Sequence, residues 1–153
     1  MKIVSWNIAC LPKFFDTMGN INYRLNKIKL ILEQCNADIV LLQEVFSDYS
    51  REILTEFFKK CKYNIVISPK SYVFFNGGLL IASKHKIIHN DCYTYNNSAG
   101  DDWWATKGIL YAQIIINNKI YNIFNTHCNN DNPILCYNRE NVPIIKNKQT
   151  CEF

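Results

Sequence analysis

Residues 39–44 read Ile-Val-Leu-Leu-Gln-Glu, four consecutive aliphatics followed at once by an amide and a carboxylate. A run without polar alternation fits a strand covered on both faces, so the chain has to build layers on either side of it. A carboxylate directly after such a strand is costly to bury without a cation, a hydrogen-bond cluster or solvent. Together these demands favour a layered α/β structure with polar groups gathered where strands end.

The flanking sequence supplies the layers. Ile21, Leu25, Ile28, Ile31, Leu32 and Cys35 recur at helical spacing and predict a helix over 21–35, broken by Asn36-Ala37-Asp38. A second amphipathic helix is expected over 48–60, with Ile53, Leu54, Phe57 and Phe58 inward. Strands are expected at 2–8, 39–43, 63–67, 78–83, 86–90, 108–116 and 119–125. Asn117-Asn118 joins the last two as a two-residue turn able to take positive φ, and Gly77-Gly78 marks a turn or a close backbone approach. The order β-α-β-α-β, then a strand and a hairpin, predicts neighbouring parallel strands with helices on one face, extended by antiparallel strands.

The 153 residues, 48% hydrophobic, suffice for a single domain over 1–153 with a substantial core, and no low-complexity tract interrupts them. Net charge is +4, divided as +3 over residues 1–70 and +1 over 71–153, so there is no basic half. This balance permits an anionic partner such as phosphate without demanding nucleic acid. The apolar runs are too short to span a bilayer, so no transmembrane segment is expected. Seven cysteines, an odd number without a C-x-x-C pair, precede or follow no basic-then-apolar leader. The expectation is a cytoplasmic chain with reduced thiols; a longer secreted parent is the alternative.

Asn7, Gln43-Glu44 and Asn125-Thr126-His127 close three of the expected strands, where open α/β sheets collect ligands. Glu44 with the Asn7 carboxamide offers hard oxygen donors, suited to Mg²⁺ more than Zn²⁺. His127 could hydrogen-bond a phosphate or transfer a proton. Plainer readings stand beside these. Glu44 could cap the next helix or face water, Asn7 could be a turn residue, and His127 could be structural.

Ser5-Trp6-Asn7-Ile8, Leu41-Leu42-Gln43-Glu44-Val45, Gly77-Gly78-Leu79-Leu80-Ile81-Ala82-Ser83-Lys84 and Asn125-Thr126-His127 follow one another in an informative order. In order and spacing they resemble the endonuclease/exonuclease/phosphatase superfamily. The resemblance implies a DNase I-like α/β sandwich of two mixed sheets with outer helices, cleaving phosphoester bonds with Mg²⁺ at one end. By position, Glu44 resembles the metal-ligand glutamate and Asn7 the asparagine supporting metal and phosphate. His127 resembles the histidine that contacts the scissile phosphate. Trp6, Asn7, Leu11 and Pro12, and then residues 100–108, resemble neutral sphingomyelinases within that superfamily. There Asp102 and Lys107 match an Asp/Lys pair near the substrate, and Trp103-Trp104 beside a lysine would suit a membrane surface and a phosphate head group. The alternative is that both tryptophans pack a sheet edge and Lys107 is a surface charge.

The sequence also departs from that family. Complete members are much longer, and nothing after His127 matches the D-x-N or S-D-H motifs that position the nucleophile and activate water. Asn129 stands where a glutamine is common, and Asp131-Asn132 lies too close to His127 to act as D-x-N. The chain is therefore expected to be the N-terminal half of the domain, supplying little more than one sheet and leaving its inner face open. The expected function is that of a Mg²⁺-dependent phosphodiesterase, most like a sphingomyelinase acting on phospholipid head groups, with peripheral membrane contact. A nuclease or phosphatase of the same superfamily is one alternative. A catalytically inactive remnant that only binds ligand or partner is the other, so whether the chain turns over substrate stays open here.

Overall fold

The computed structural model describes residues 1–11, 19–69, 77–95 and 107–128. In chain order its elements are β1 (Ile3–Cys10), α1 (Ile21–Cys35), β2 (Ile39–Val45), α2 (Asp48–Lys60), β3 (Asn64–Ile67), β4 (Leu80–Ser83), β5 (Ile87–Thr94), β6 (Gly108–Ile116) and β7 (Lys119–His127).

Both helices have local causes. Asn20 opens α1 by accepting the Tyr23 N–H at 3.1 Å. Asn36 closes it in the left-handed region (φ 46°), its own N–H returning to the Leu32 and Glu33 carbonyls. Ser47 caps α2 through the Ser50 N–H; Asp48 in the first turn and Lys59 and Lys60 in the last complement the helix dipole. The inward stripes are Leu25, Ile28 and Leu32 on α1 and Leu54 and Phe58 on α2. Ile31, expected inward, is 44% exposed because it lies on the flank of the stripe that those three residues define.

The strands form two sheets, one ordered β1-β2-β4-β3 and one ordered β5-β6-β7. β1 and β2 run parallel, in register from Ile3↔Ile39 to Asn7↔Gln43. β4 is antiparallel to both its neighbours, and the second sheet is antiparallel throughout. Asn117 and Asn118 take φ values of 50° and 61°, the mirror-image turn that suits a two-residue hairpin. The unbroken apolar run of β2 is used on both faces. Val40 and Leu42 pack with Leu80 and Ala82 against the helices, while Ile39 packs with Ile81 against Leu110, Ala112 and Ile114 of the second sheet.

Three expectations need correcting. β3 does not neighbour β2, because β4 inserts between them. β5 runs on to Thr94, well past Asn90; its polar sequence belongs to an edge strand held by backbone pairing to β6, which apolar patterning does not report. The chain also supplies strands to both sheets, so the inner face of the first is covered by the second. The exposed apolar side chains lie instead away from that face, on edge strands and on the outer side of α1, among them Ile3 on β1, Ile88 on β5, Ile120 and Phe124 on β7, and Leu30 on α1. Among the described residues no helix is long and apolar enough to cross a membrane.

Candidate active site

The parallel pairing of β1 and β2 is regular up to Asn7↔Gln43 and resumes at Cys10↔Val45. Ile8 and Ala9 thus face the single residue Glu44, a bulge that turns the strand ends out of alternation. Ala9 (φ 48°) and Glu44 (φ 59°) both sit in the left-handed region, which costs a non-glycine residue about 1–2 kcal/mol each. Arg24 on α1 ties the bulge down, donating from Nη2 to the carbonyls of Ile8 at 2.8 Å and Ala9 at 2.9 Å.

The bulge lets Asn7 and Glu44 meet. Asn7 Oδ1 accepts the Ala9 N–H at 3.1 Å, which fixes the orientation of the amide, and Nδ2 donates to Glu44 Oε1 at 2.7 Å. On the other sheet, His127 at the end of β7 brings Nε2 to 3.6 Å from the same Glu44 oxygen. Both side chains keep about a fifth of their surface open, 21% for Glu44 and 19% for His127. Asn7 and His127, from two sheets and distant parts of the chain, therefore converge on the Glu44 carboxylate.

Lys107 lies behind the histidine. It is 4% exposed, and its Nζ stands 2.9 Å from His127 Nδ1 and 3.4 Å from Nε2. The same ammonium sits 5.6 Å above the Phe46 ring, which approaches His127 at 6.4 Å between centroids. The ammonium is within reach of both ring nitrogens, so it packs against the imidazole and holds the ring without selecting one nitrogen. The sequence put Lys107 beside the substrate or on the surface; the structure buries its ammonium against the histidine. Asp102, Trp103 and Trp104 lie outside the described residues.

Sequence reasoning missed the network beneath the site. Asn125 is 2% exposed and donates from Nδ2 to the carbonyls of Leu42 at 2.9 Å and Leu80 at 3.0 Å. Its Oδ1 accepts from Gln43 Nε2 at 2.6 Å, and that amide also reaches Ser5 Oγ at 3.2 Å. The available signal was period-two alternation, which places Asn125 on the same face of its strand as His127. Arg24 carried no such signal, since its contact with the bulge depends on how α1 docks.

A profile of the Endonuclease/Exonuclease/phosphatase family matches residues 4–141. The chain belongs to this family. Sphingomyelinase C 2 of Leptospira interrogans is 30% identical over 144 residues, covering 83% of this chain and 23% of its own. A β-hairpin deletion mutant of beta toxin from Staphylococcus aureus superposes with a TM-score of 0.88 at 23% identity, over 99% of this chain and 58% of its own. A beta toxin mutant with bound magnesium ions gives 0.85 at 24% identity, over 99% and 56%. The fold is thus the DNase I-like α/β sandwich. The chain spans about a quarter of that curated relative and somewhat more than half of those solved structures.

The donors at the bulge fit a hard divalent cation. Mg²⁺ is commonly held by one or two carboxylates while keeping several waters, and Glu44 supplies one carboxylate, steadied by the Asn7 amide nitrogen while the Asn7 oxygen accepts the Ala9 N–H. Among the described residues no group of three or more His, Cys, Asp or Glu is placed to hold a metal ion.

Proposed function

We propose that this chain carries the metal- and phosphate-binding part of a Mg²⁺-dependent phosphodiesterase, with a phospholipid head group as substrate in preference to nucleic acid. The convergence of Asn7, Glu44 and His127, at 2.7 and 3.6 Å, is the observation that carries this reading. Glu44 would hold the ion and Asn7 would keep the carboxylate turned towards it. When bound, the ion supplies positive charge against a phosphate oxygen. His127 would turn Nε2 towards the same phosphate, and Lys107 behind it holds the ring in place. The lipid preference is supported by relatives that are themselves sphingomyelinases, from Leptospira interrogans and Danio rerio, and by the even charge of the chain. Contact with a membrane surface is proposed from Trp103-Trp104, and a reducing compartment from the seven cysteines.

A second reading, binding without turnover, is favoured by the make-up of the site: among the described residues Glu44 is the carboxylate found with Asn7 and His127, and an in-line attack on phosphate also needs a group to activate water. One experiment separates these readings. The chain is titrated with Mg²⁺ by calorimetry, then assayed with Mg²⁺ on sphingomyelin vesicles and on supercoiled plasmid. Saturable Mg²⁺ binding that Glu44→Gln weakens at least tenfold supports the site; unchanged binding in that variant sinks it. Release of phosphocholine supports the esterase, plasmid nicking the nuclease, and binding with neither the inactive reading.

A further inference from the structure

We propose that Asn125 is the positioning residue that sets the distance between Glu44 and His127, an inference that rests on reading those two as the working pair. Leu42↔Leu80 is the last regular pair between β2 and β4. The strands next touch where Val45 N–H donates to the Gly78 carbonyl at 2.9 Å, leaving Gln43, Glu44 and Leu79 in an opening between them. The Asn125 carboxamide reaches into this opening from the other sheet, binding both carbonyls of the last pair and the Gln43 side chain. It joins two N–H donors to an acceptor on one short planar group. Aspartate would set oxygen against two carbonyls, and leucine would fill the volume while leaving buried polar groups unpaired.

Both ends of the working pair depend on this group. Glu44 directly follows Gln43 and holds its left-handed backbone, a conformation that persists only where its surroundings enforce it. His127 follows Asn125 by two residues on the same strand face. One carboxamide thus couples the strand end carrying the carboxylate to the strand end carrying the imidazole.

The test uses the full chain with Asn125→Leu, and Ile114→Ala as a core control that lowers stability far from the site. The first readout is the ring nitrogen spectrum of His127 at pH 8; with three histidines in the chain, assignment is direct. Wild type and Ile114→Ala should share one set of ring nitrogen shifts, whereas Asn125→Leu should move them towards the values of an unrestrained imidazole. The second readout is Mg²⁺ affinity, expected to fall about tenfold in Asn125→Leu and to hold in the control, the usual size of an outer-shell effect. Should Asn125→Leu fail to fold, Gln43→Met removes one of the three bonds and should move both readouts the same way by less. A wild-type His127 spectrum in the folded variant overturns the proposal. Absence of Mg²⁺ binding in wild type overturns the functional reading instead, and the histidine spectrum still decides the positioning.

Discussion

Gly78→Ala probes the packing beneath the site. Gly78 holds φ +63°, and a Cβ built there would stand 2.7 and 2.8 Å from two ring carbons of Phe46, a residue only 8% exposed. The left-handed backbone costs alanine about 1–2 kcal/mol. Forcing a buried ring aside adds about 1–3 kcal/mol of overpacking. The sum, about 2–5 kcal/mol, converts to a Tm lower by roughly 5–20 °C for a chain of this size. A double-mutant cycle with Phe46→Leu divides the sum, because leucine lacks the ring atoms in conflict. In that background the steric part should vanish, giving a coupling of about 1–3 kcal/mol by urea denaturation. Additive effects within about 0.5 kcal/mol would show that the ring is not what reserves this position for glycine. Because Phe46 also lies under Lys107 and near His127, the single variant should disturb the His127 ring nitrogen spectrum as well.

Gly108→Ala should be worse tolerated, since its Cβ would fall 2.1 Å from the Tyr93 backbone oxygen and neither strand can yield without breaking the β5–β6 pairing; loss of folded material by circular dichroism is the expected result. Tyr63→Phe removes a hydroxyl that donates to the Ala37 carbonyl at 2.5 Å and should cost about 1 kcal/mol at neutral pH. Burial first, then the nearby Cys61 and Asp38 charges, raises the Tyr63 phenol above its ordinary value. The folded state therefore keeps this proton longer than the unfolded one, so the stabilisation is complete below the unfolded pKa and is lost as pH rises from that value through the folded one. Urea midpoints measured between neutral and strongly alkaline pH should fall less steeply in Tyr63→Phe than in wild type. Finally, Ile120→Lys with Phe124→Glu places charge on an edge strand whose apolar side chains are 59% and 57% exposed, and should raise the monomer fraction in size-exclusion chromatography without lowering Tm by more than a degree or two.

Much of the architecture is local chemistry and could be read from the chain alone. The 3.6-residue recurrence of apolar positions defined both helices to their ends, because Asn20, Asn36 and Ser47 satisfy terminal backbone groups from within a few residues. Asn117-Asn118 specified its hairpin for the same reason, two residues tolerant of positive φ between apolar runs. The site was legible as three strand ends carrying Asn7, Glu44 and His127, since polar groups after buried runs are costly wherever they land.

Partner choice was decided at longer range. That β4 rather than β3 lies beside β2, and that the hairpin strands form a separate sheet packed across the first, follow from which loops close and which faces bury together. The burial of Lys107 against His127, the turn of the Asn7 amide towards Glu44, and the three bonds of Asn125 join residues 20, 37 and 45 to 83 positions apart. Sequence periodicity records which face a side chain takes. It does not record which atom waits across the gap, because that depends on the docking of whole sheets, and only the tertiary structure supplies it.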